Sequence, residues 1–311
     1  MPRQTLVLTG ATGFIGRHLA AALCRAGYSV RAMVRRDDPE LRASGVELWH
    51  GTFASDLAPL VAEARVVIHA GGAVRARDPG EFHRVNAEGS ARLAAAAARA
   101  GCERLLYVSS LAARQPELSA YAASKAAGET AIAAEAGRMA VTVVRPPAVY
   151  GPGDRGTLPL LRGLARGYLV HPSTDGARFS LLYVEDTTRL LLALLAAPPD
   201  NHAVLEPDDG TAGGYGWSDL ARTAATSLGR PIRRLALPRG AMTLAAALAE
   251  SYGRAAARPS VLSRGKVAEL YHRDWVSDTR ATSALGIWRP QVRFAEGLTA
   301  TLTWYRAAGW L

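Results

Sequence analysis

Cysteine, lysine and long apolar runs are all scarce in this chain of 311 residues. The two cysteines, Cys24 and Cys102, lie far apart in sequence, so we expect free thiols and no disulfide framework. No Cys/His cluster has the spacing of a metal site, and we predict no bound metal. No run approaches the roughly 20 apolar residues that cross a bilayer. Residues 1–9 lead into an apolar strand without the features of a signal peptide. We therefore expect a cytoplasmic protein with no membrane partner.

The charge of the chain is +10 at pH 7, and it comes almost entirely from arginine. Lys125 and Lys266 are the only lysines among 37 basic residues. The arginines occur singly or in pairs, and the sequence has no basic run of the kind that binds nucleic acid. We expect no nucleic-acid partner, since a basic pocket for a phosphorylated ligand would account for part of the excess charge.

The first half of the chain alternates between two hydrophobic patterns. Short runs rich in Val, Leu and Ile predict strands at residues 4–8, 29–34, 46–50, 66–69, 105–109 and 141–144. Helical periodicity predicts helices at residues 14–26, 81–100 and 121–136. Continuously apolar strands separated by helices indicate a parallel sheet covered on both faces. The predicted fold class is therefore α/β, with a doubly wound parallel sheet that binds ligands at the carboxyl ends of its strands.

A glycine-rich segment joins the first predicted strand to the first predicted helix. It reads Gly10-Ala11-Thr12-Gly13-Phe14-Ile15-Gly16. A strand that turns sharply into a helix while its backbone approaches a pyrophosphate leaves no room for a Cβ at the turn. The helix N-terminus then offers N–H groups and a partial positive charge to the phosphates. The segment predicts a Rossmann-type dinucleotide site that involves Gly10, Thr12, Gly13, Phe14, Ile15 and Gly16.

The end of the second predicted strand bears on the choice between NAD and NADP. An acidic residue there would bind the ribose 2′-hydroxyl of NAD. In this chain Val34 is followed by Arg35 and Arg36, and acids come only at Asp37 and Asp38. Arginine is suited to bidentate contact with the 2′-phosphate of NADP. Arg35 and Arg36 therefore favour NADP, while Asp37 keeps NAD open as the alternative.

The second half of the chain has shorter and less regular elements. It begins after Arg145 with a segment rich in proline and glycine, residues 146–153. Helices are predicted at residues 184–195, 218–228, 241–256 and 294–308. We expect residues 1–150 to form a dinucleotide-binding core and residues 151–311 to form a smaller substrate-binding region. We also expect this region to pack partly back on the core, within a single structural unit.

Tyr121 and Lys125 are four residues apart, so they share one face of a predicted helix. A phenol with its ordinary pKa of about 10 exchanges protons poorly at neutral pH, and a neighbouring ammonium group lowers that pKa. The scarcity of lysine argues against a chance pairing. Ser109 and Ser110 follow a predicted strand at its carboxyl end, where a hydroxyl can hold a substrate oxygen. We predict this role for Ser110, and expect Ser109 to satisfy backbone groups at the strand end.

Several segments of the chain resemble those of the extended short-chain dehydrogenase/reductases, also called the NAD-dependent epimerase/dehydratase family, and they occur in the order that is typical of this family. Besides the glycine segment and the Tyr-x-x-x-Lys pair they are Val67-Ile68-His69-Ala70-Gly71, Val85-Asn86-Ala87-Glu88-Gly89, Tyr107-Val108-Ser109-Ser110, residues 145–152 and Tyr183-Val184-Glu185-Asp186. The resemblance runs along most of the chain, and it implies an NAD(P)-dependent oxidoreductase. It also implies that Ser110 is the active-site hydroxyl, Tyr121 the acid–base and Lys125 its partner, and we expect both Tyr121 and Lys125 to contact the cofactor. Others would line the site: Ala70 and Gly71 on the adenine-ribose side, Pro146 and Pro147 on the nicotinamide face, and Asn86 in a supporting role.

The chain departs from the family pattern in two places. Members often carry Gly-Asp-Leu after the third strand, where the acid helps to bind adenine, but this chain has Gly51-Thr52-Phe53. We expect Asp56 to cap a helix instead. The stretch from Ser110 to Tyr121 is short, and Ser110 is followed by Leu111-Ala112 and not by the catalytic triplet of sugar 4,6-dehydratases. The dehydratase function is therefore disfavoured.

The sequence leaves three functions open. The leading hypothesis is reversible hydride transfer between NADP(H) and a secondary alcohol or ketone in a small-molecule substrate. A sugar-nucleotide epimerase would use the same groups with retained NAD, and would need a basic site for the substrate pyrophosphate, for which Arg178 is the candidate. A non-catalytic NADP-binding sensor or assembly protein would predict decay of the tyrosine–lysine pair, which is intact. The family resemblance also implies a homodimer that pairs through the helices at residues 81–100 and 121–136.

Overall fold

The computed structural model describes residues 5–198, 203–256 and 262–311. Gln4, with which the first predicted strand begins, lies outside these residues. The chain divides into two compact units. The first contains Met1–Arg145 and Thr188–Leu205, and the second contains Pro146–Thr187 and Glu206–Leu311.

Strands and helices of the described residues are numbered here in chain order. The strands are β1 (Thr5–Thr9), β2 (Ser29–Val34), β3 (Glu47–His50), β4 (Val66–His69), β5 (Arg104–Val108), β6 (Ala140–Val144), β7 (Ala148–Tyr150), β8 (Tyr168–Pro172), β9 (Arg178–Phe179), β10 (Leu181–Tyr183), β11 (Ala203–Leu205), β12 (Arg233–Leu237) and β13 (Asp274–Trp275). The helices are α1 (Phe14–Arg25), α2 (Pro39–Ala43), α3 (Ala58–Val61), α4 (Pro79–His83), α5 (Gly89–Arg99), α6 (Ala120–Glu135), α7 (Leu158–Ala165), α8 (Val184–Ala196), α9 (Trp217–Leu228), α10 (Arg239–Ala255), α11 (Arg264–Leu270), α12 (Arg280–Ala284) and α13 (Phe294–Ala307).

The first unit is built around a seven-stranded sheet in the order β11-β6-β5-β4-β1-β2-β3. Every neighbouring pair of strands in it is parallel. Strands β5 and β6 are buried along their whole length, because their apolar runs are covered on both faces. This is the doubly wound, Rossmann-type α/β fold that the sequence predicts. The order also places the carboxyl ends of β1 and β4 side by side, since Thr9 pairs with His69.

The helix predicted at residues 81–100 differs from the expectation in its middle. It begins as α4, passes through a π-helical turn at Arg84–Glu88 and continues as α5. The side chain of Asn86 lies in this wider turn, where it accepts a hydrogen bond from Ala73 N (2.7 Å) and donates one to Ala73 O (2.9 Å). These two bonds attach the turn to the loop after β4. Single π turns of this kind are frequent at functional sites.

The second unit contains short parallel strand pairs: β7 with β10, β8 with β12, and β9 with β13. Its core is rich in aromatic side chains, among them Tyr150, Tyr183, Tyr215, Phe294 and Tyr305. Within the described ranges, no helix combines the length and the apolar character that crossing a membrane requires. In the same residues, no group of His, Cys, Asp and Glu is arranged to hold a metal ion.

Candidate active site

The glycine segment forms the tight turn between β1 and α1. Gly10 has a φ of 76°, and a Cβ there would lie 2.5 Å from the carbonyl oxygen of Ala70. A Cβ on Gly16 would lie 2.0 Å from the carbonyl oxygen of Gly10. The amide of Gly13 donates to that same oxygen (2.9 Å), and α1 begins at the next residue. No side chain caps α1 and no acid lies in its first turn, so its N-terminal amides suit a phosphate group.

The acids that follow β2 are engaged with other parts of the chain. Asp38 caps α2 by accepting from Leu41 N (3.1 Å), and it also forms an ion pair with Arg17 (2.6 Å). Asp37 forms an ion pair with Arg42. Arg35 and Arg36 are exposed, and within the described residues neither forms an ion pair or a side-chain hydrogen bond. Positive charge is therefore available at the end of β2.

The loop after β3 has no acid that faces back to the sheet edge. Phe53 packs instead against the imidazole of His69, with ring centroids 5.4 Å apart. The carboxylate of Asp56 accepts from the amide of Ala58, the first residue of α3, at 3.0 Å. Asp56 therefore binds the N-terminus of this helix, although Leu57 occupies the N-cap position itself.

Tyr121 and Lys125 lie one turn apart near the N-terminus of α6. Lys125 is buried, and its ammonium group donates to the carbonyl oxygen of Val108 at the end of β5 (3.0 Å). The ammonium also lies 4.3 Å from the ring centroid of Tyr107. Tyr121 is half-buried, and its ring packs edge-on against Phe82 of α4, with centroids 6.0 Å apart. The structure thus brings the tyrosine–lysine face of α6 to the carboxyl end of β5.

Ser110 lies two residues after the end of β5 and caps a short 3-10 helix, Leu111–Arg114. Its hydroxyl oxygen accepts from the amide of Ala112 (3.2 Å). This bond uses an acceptor site, so the hydroxyl hydrogen can still be donated to a ligand. Ser109, in contrast, donates its hydroxyl to a carboxylate oxygen of Glu129 (2.5 Å).

A partly buried ion pair lies one turn beyond Lys125 on α6. Arg145 donates from Nε and Nη2 to the two carboxylate oxygens of Glu129, at 2.9 and 2.6 Å. Burial lowers the pKa of Lys125 from its ordinary 10.5 to about 7, and the negative charge of Glu129 partly counters that shift. The sequence analysis did not identify Glu129. Its position four residues after Lys125, on the same helix face, was the available signal.

His69 connects the cofactor side of the sheet to the π-helical turn. Ser90 donates its hydroxyl to the carbonyl oxygen of Asn86 (2.7 Å), so its oxygen accepts from Nε2–H of His69 (2.8 Å). Nδ1 of His69 is then the acceptor for the hydroxyl of Thr9 (2.6 Å), which itself accepts from Gly71 N (3.2 Å). Burial, together with the charge of Lys125, lowers the pKa of His69 to about 3, which keeps the ring neutral. This chain of hydrogen bonds, which we call the His69 relay, was not predicted from the sequence.

The relay continues from Asn86 to the helix that carries Tyr121. The amide of Asn86 donates to the hydroxyl of Ser124 (2.9 Å), and Ser124 donates to the carbonyl oxygen of Tyr121 (2.7 Å). Asn86 and Ser124 are both buried. A hydrogen-bonded path therefore joins Thr9, beside the glycine turn, to the backbone of Tyr121.

Three residues predicted for the site lie in the second unit. Pro146 and Pro147 follow β6 in the chain, and their predicted place at the nicotinamide face stays a prediction. The guanidinium of Arg178 donates to Gly213 O at 2.6 Å and forms an ion pair with Asp219 at 3.1 Å. Arg178 is thus held by its own unit.

The chain is similar in sequence and in fold to known proteins. Residues 6–205 match the model of the NAD dependent epimerase/dehydratase family. The ceramide reductase of Caulobacter vibrioides is 41% identical over 313 aligned residues, which cover 99% of this chain and 96% of that protein. The UDP-glucose 4-epimerase of Vibrio cholerae is 26% identical over 269 residues, or 76% of this chain and 80% of that protein. The solved structure of MoeE5 in complex with UDP-glucose and NAD shares the fold, with a TM-score of 0.76 at 23% identity over 98% of this chain and 99% of that one. The chain therefore belongs to the NAD dependent epimerase/dehydratase family and is an NAD(P)-dependent oxidoreductase.

Proposed function

We propose that this protein is an NADPH-dependent reductase that converts a ketone in a long-chain amide lipid to a secondary alcohol. The observation that carries the proposal is the 41% identity to a ceramide reductase along 99% of this chain and 96% of that protein. A ceramide is an amide of a fatty acid with a long-chain amino alcohol. A reductase that acts on such a lipid would reduce its ketone form, and the tyrosine–lysine face of α6 suits that chemistry.

The residues around the glycine turn fit a nicotinamide dinucleotide, because the turn leaves no space for side chains and ends in an uncapped helix N-terminus. Backbone groups of Gly10, Thr12, Gly13, Phe14, Ile15 and Gly16 would hold the pyrophosphate. The adenine-ribose side would be lined by Ala70 and Gly71, and the nicotinamide face by Pro146 and Pro147. When bound, the cofactor supplies the hydride that the carbonyl carbon accepts.

Arg35 and Arg36 support NADP as the cofactor. Both side chains are exposed at the end of β2, and a 2′-phosphate would give each a bidentate partner. Asp37, the residue that would serve NAD, is paired with Arg42. That pair neutralises part of the negative charge that an NAD-binding acid would present to the ribose hydroxyls.

The other steps of the reduction are assigned to three side chains, those of Tyr121, Ser110 and Lys125. The phenol of Tyr121 donates its proton to the carbonyl oxygen as the carbon–oxygen π bond breaks, which leaves an alcohol. The hydroxyl of Ser110 donates a hydrogen bond to that oxygen and stabilises its developing negative charge. The ammonium of Lys125 stabilises the phenolate that forms on Tyr121. Asn86 positions α6 through Ser124.

A sugar-nucleotide epimerase is the second candidate, and the similarity to the UDP-glucose 4-epimerase of Vibrio cholerae favours it. That reaction requires a basic group for the substrate pyrophosphate. Arg178, the candidate for this role, already binds two backbone carbonyls and Asp219. The reductase is therefore the better supported proposal.

One experiment separates the two functions. The purified protein is denatured, any released nucleotide is identified, and the native protein is assayed with a short-chain N-acyl aminoketone and with UDP-glucose. We expect no retained NAD, NADPH consumption with the aminoketone, and an alcohol as the product. Tightly retained NAD together with epimerised UDP-glucose would overturn the proposal. A homodimer that pairs through α5 and α6 is a further prediction, and light scattering would measure whether the protein is a dimer.

A further inference from the structure

Helix α10 in the second unit has one face that packs against its own unit. Met242 and Ala246 lie on this face and contact Val267 and Tyr271, which belong to α11 and the residue that follows it. Glu250 is turned to the same side, where its carboxylate binds the guanidinium of Arg264 at 3.0 Å. The face of α10 that packs against its own unit therefore carries both its buried apolar contacts and Glu250.

The opposite face of α10 is apolar and exposed. Leu244, Leu248 and Tyr252 are 64%, 65% and 75% exposed. Their spacing of four residues places them on one side of the helix, and Ala241 and Ala245 fall on the same side. We call these five residues the α10 outer face. Large apolar side chains that cluster on a surface mark a contact with a partner or a lipid, whereas single ones do not.

Exposed apolar side chains also occur on β12, the strand before α10. Leu235 of β12 pairs in register with Val170 of β8, and both are exposed, by 48% and 41%. Between Asp219 and Glu250 the chain has five arginines and no acidic residue. The five are all exposed: Arg222, Arg230, Arg233, Arg234 and Arg239.

We infer that the α10 outer face and the arginines of β12 form a surface that docks on a bilayer containing anionic lipids. A helix in a membrane interface buries its apolar face at the headgroup boundary, and attraction between basic side chains and anionic lipids strengthens the binding. The same positive charge on two copies of the chain would repel, which disfavours a second copy as the occupant. This inference departs from the expectation of no membrane partner, which rested on the lack of a long apolar run. Docking needs one apolar face and no helix that crosses the membrane.

The chemistry of the substrate points to the same partner. This step rests on the proposed function, because a long-chain amide lipid resides in bilayers and not in water. A reductase for such a lipid has to meet it at the membrane surface. The α10 outer face would hold the enzyme there while the substrate leaves the bilayer.

The test is flotation of the full chain with vesicles of phosphatidylcholine, with and without phosphatidylglycerol. We expect binding to the anionic vesicles and its decline with added salt. The double variant Leu244→Ser/Leu248→Ser should lower the bound fraction at least about tenfold, since two leucine side chains lose their burial in the interface. Arg233→Gln/Arg234→Gln should lower it by roughly fivefold for each arginine that lies near the anionic surface. The matched control is Val204→Ser/Ile287→Ser, which removes two apolar side chains that lie outside the α10 outer face and are each 39% exposed. This variant should bind as the wild type does.

Thermal unfolding of each variant checks that the fold is retained. Binding that is absent in the wild type, or unchanged in Leu244→Ser/Leu248→Ser, would overturn the inference. A dimer that this double variant dissociates, without any vesicle binding, would assign the face to a second copy and would also overturn it. Reduction of the short-chain aminoketone is measured in parallel. If that reduction is intact and vesicle binding is absent, only the docking surface fails; if vesicle binding is intact and no ketone is reduced, only the proposed function fails.

Discussion

The ammonium group of Lys125 donates a hydrogen bond to the carbonyl oxygen of Val108, 3.0 Å away, where α6 meets the end of β5. Lys125 is 4% exposed, and burial lowers its pKa to about 7. In the unfolded chain the same group keeps its ordinary pKa of 10.5. The difference links both stability and proton transfer to pH.

The free energy of unfolding should rise with pH between about 7 and about 10, by up to about 1.4 kcal/mol per pH unit. In this window the unfolded state binds the Lys125 proton and the folded state does not, so raising the pH favours the folded state. Lys125→Met should abolish this rise, which urea unfolding at several pH values measures. Lys266→Met is the matched control, because that lysine side chain is 54% exposed. A rise that persists in Lys125→Met and disappears in Lys266→Met would contradict the assignment.

Glu129→Gln should shift the alkaline limb of the activity profile to lower pH. The negative charge of Glu129 raises the pKa of Lys125, so its removal lets the lysine lose its proton at lower pH. The carbonyl oxygen of glutamine can still accept from Ser109 and from Nε of Arg145, while its NH2 group cannot accept from Nη2 of Arg145. The pH dependence of kcat with NADPH and an aminoketone measures the shift. The exposed Glu135 of the same helix gives the control Glu135→Gln, whose profile should match the wild type; a shift of equal size in both would point to a non-specific charge effect.

His69 should make the protein sensitive to acid. Its pKa is lowered to about 3 in the folded state, from an ordinary 6.5, by burial and by the charge of Lys125. The unfolded state therefore binds more protons between these values, and the free energy of unfolding should fall as the pH drops through this window. His69→Gln should lose that dependence and, because the relay is disturbed, be less stable at neutral pH by about 1–3 kcal/mol. Chemical unfolding of the wild type and His69→Gln at several pH values between 3 and 6.5 measures this dependence. The control is His83→Gln, a change at an exposed histidine, which should keep the wild-type pH dependence.

Arg35→Ser/Arg36→Ser should weaken NADPH binding roughly 10²–10⁴-fold, since each arginine loses a charge-assisted contact that contributes roughly 1.5–3 kcal/mol. The affinity for NADH should change little, because NADH has no 2′-phosphate. Fluorescence titration with both cofactors measures the two dissociation constants. Arg25→Ser, at the far end of α1, should leave both unchanged. Equal weakening of NADPH and NADH would show that these arginines do not bind the 2′-phosphate.

The fold was predictable because its signals are local. Each apolar run of the first half became a strand of the parallel sheet, and the glycine segment became the turn between β1 and α1. The π-helical turn was not predictable in this way, since it depends on the contact between Asn86 and Ala73, which are 13 residues apart. Periodicity does not report contacts of that kind.

The site was predictable only in part. The spacing of Tyr121 and Lys125 places them on one helix face, and the structure keeps them there. The hydrogen bonds of His69 join residues 60 and 21 positions away, and only the folded sheet brings these together. The pairing of Glu129 with Arg145 likewise depends on how α6 packs beside the end of β6.

Proton donation by Tyr121 during ketone reduction is the central claim, and Tyr121→Phe tests it most directly. The measurement is NADPH consumption with the aminoketone by the variant and the wild type, together with NADPH titration of both. We predict that kcat falls by about 10²–10⁴-fold, the usual contribution of a general acid, while the dissociation constant of NADPH changes little. Turnover by Tyr121→Phe at the wild-type rate would contradict the account.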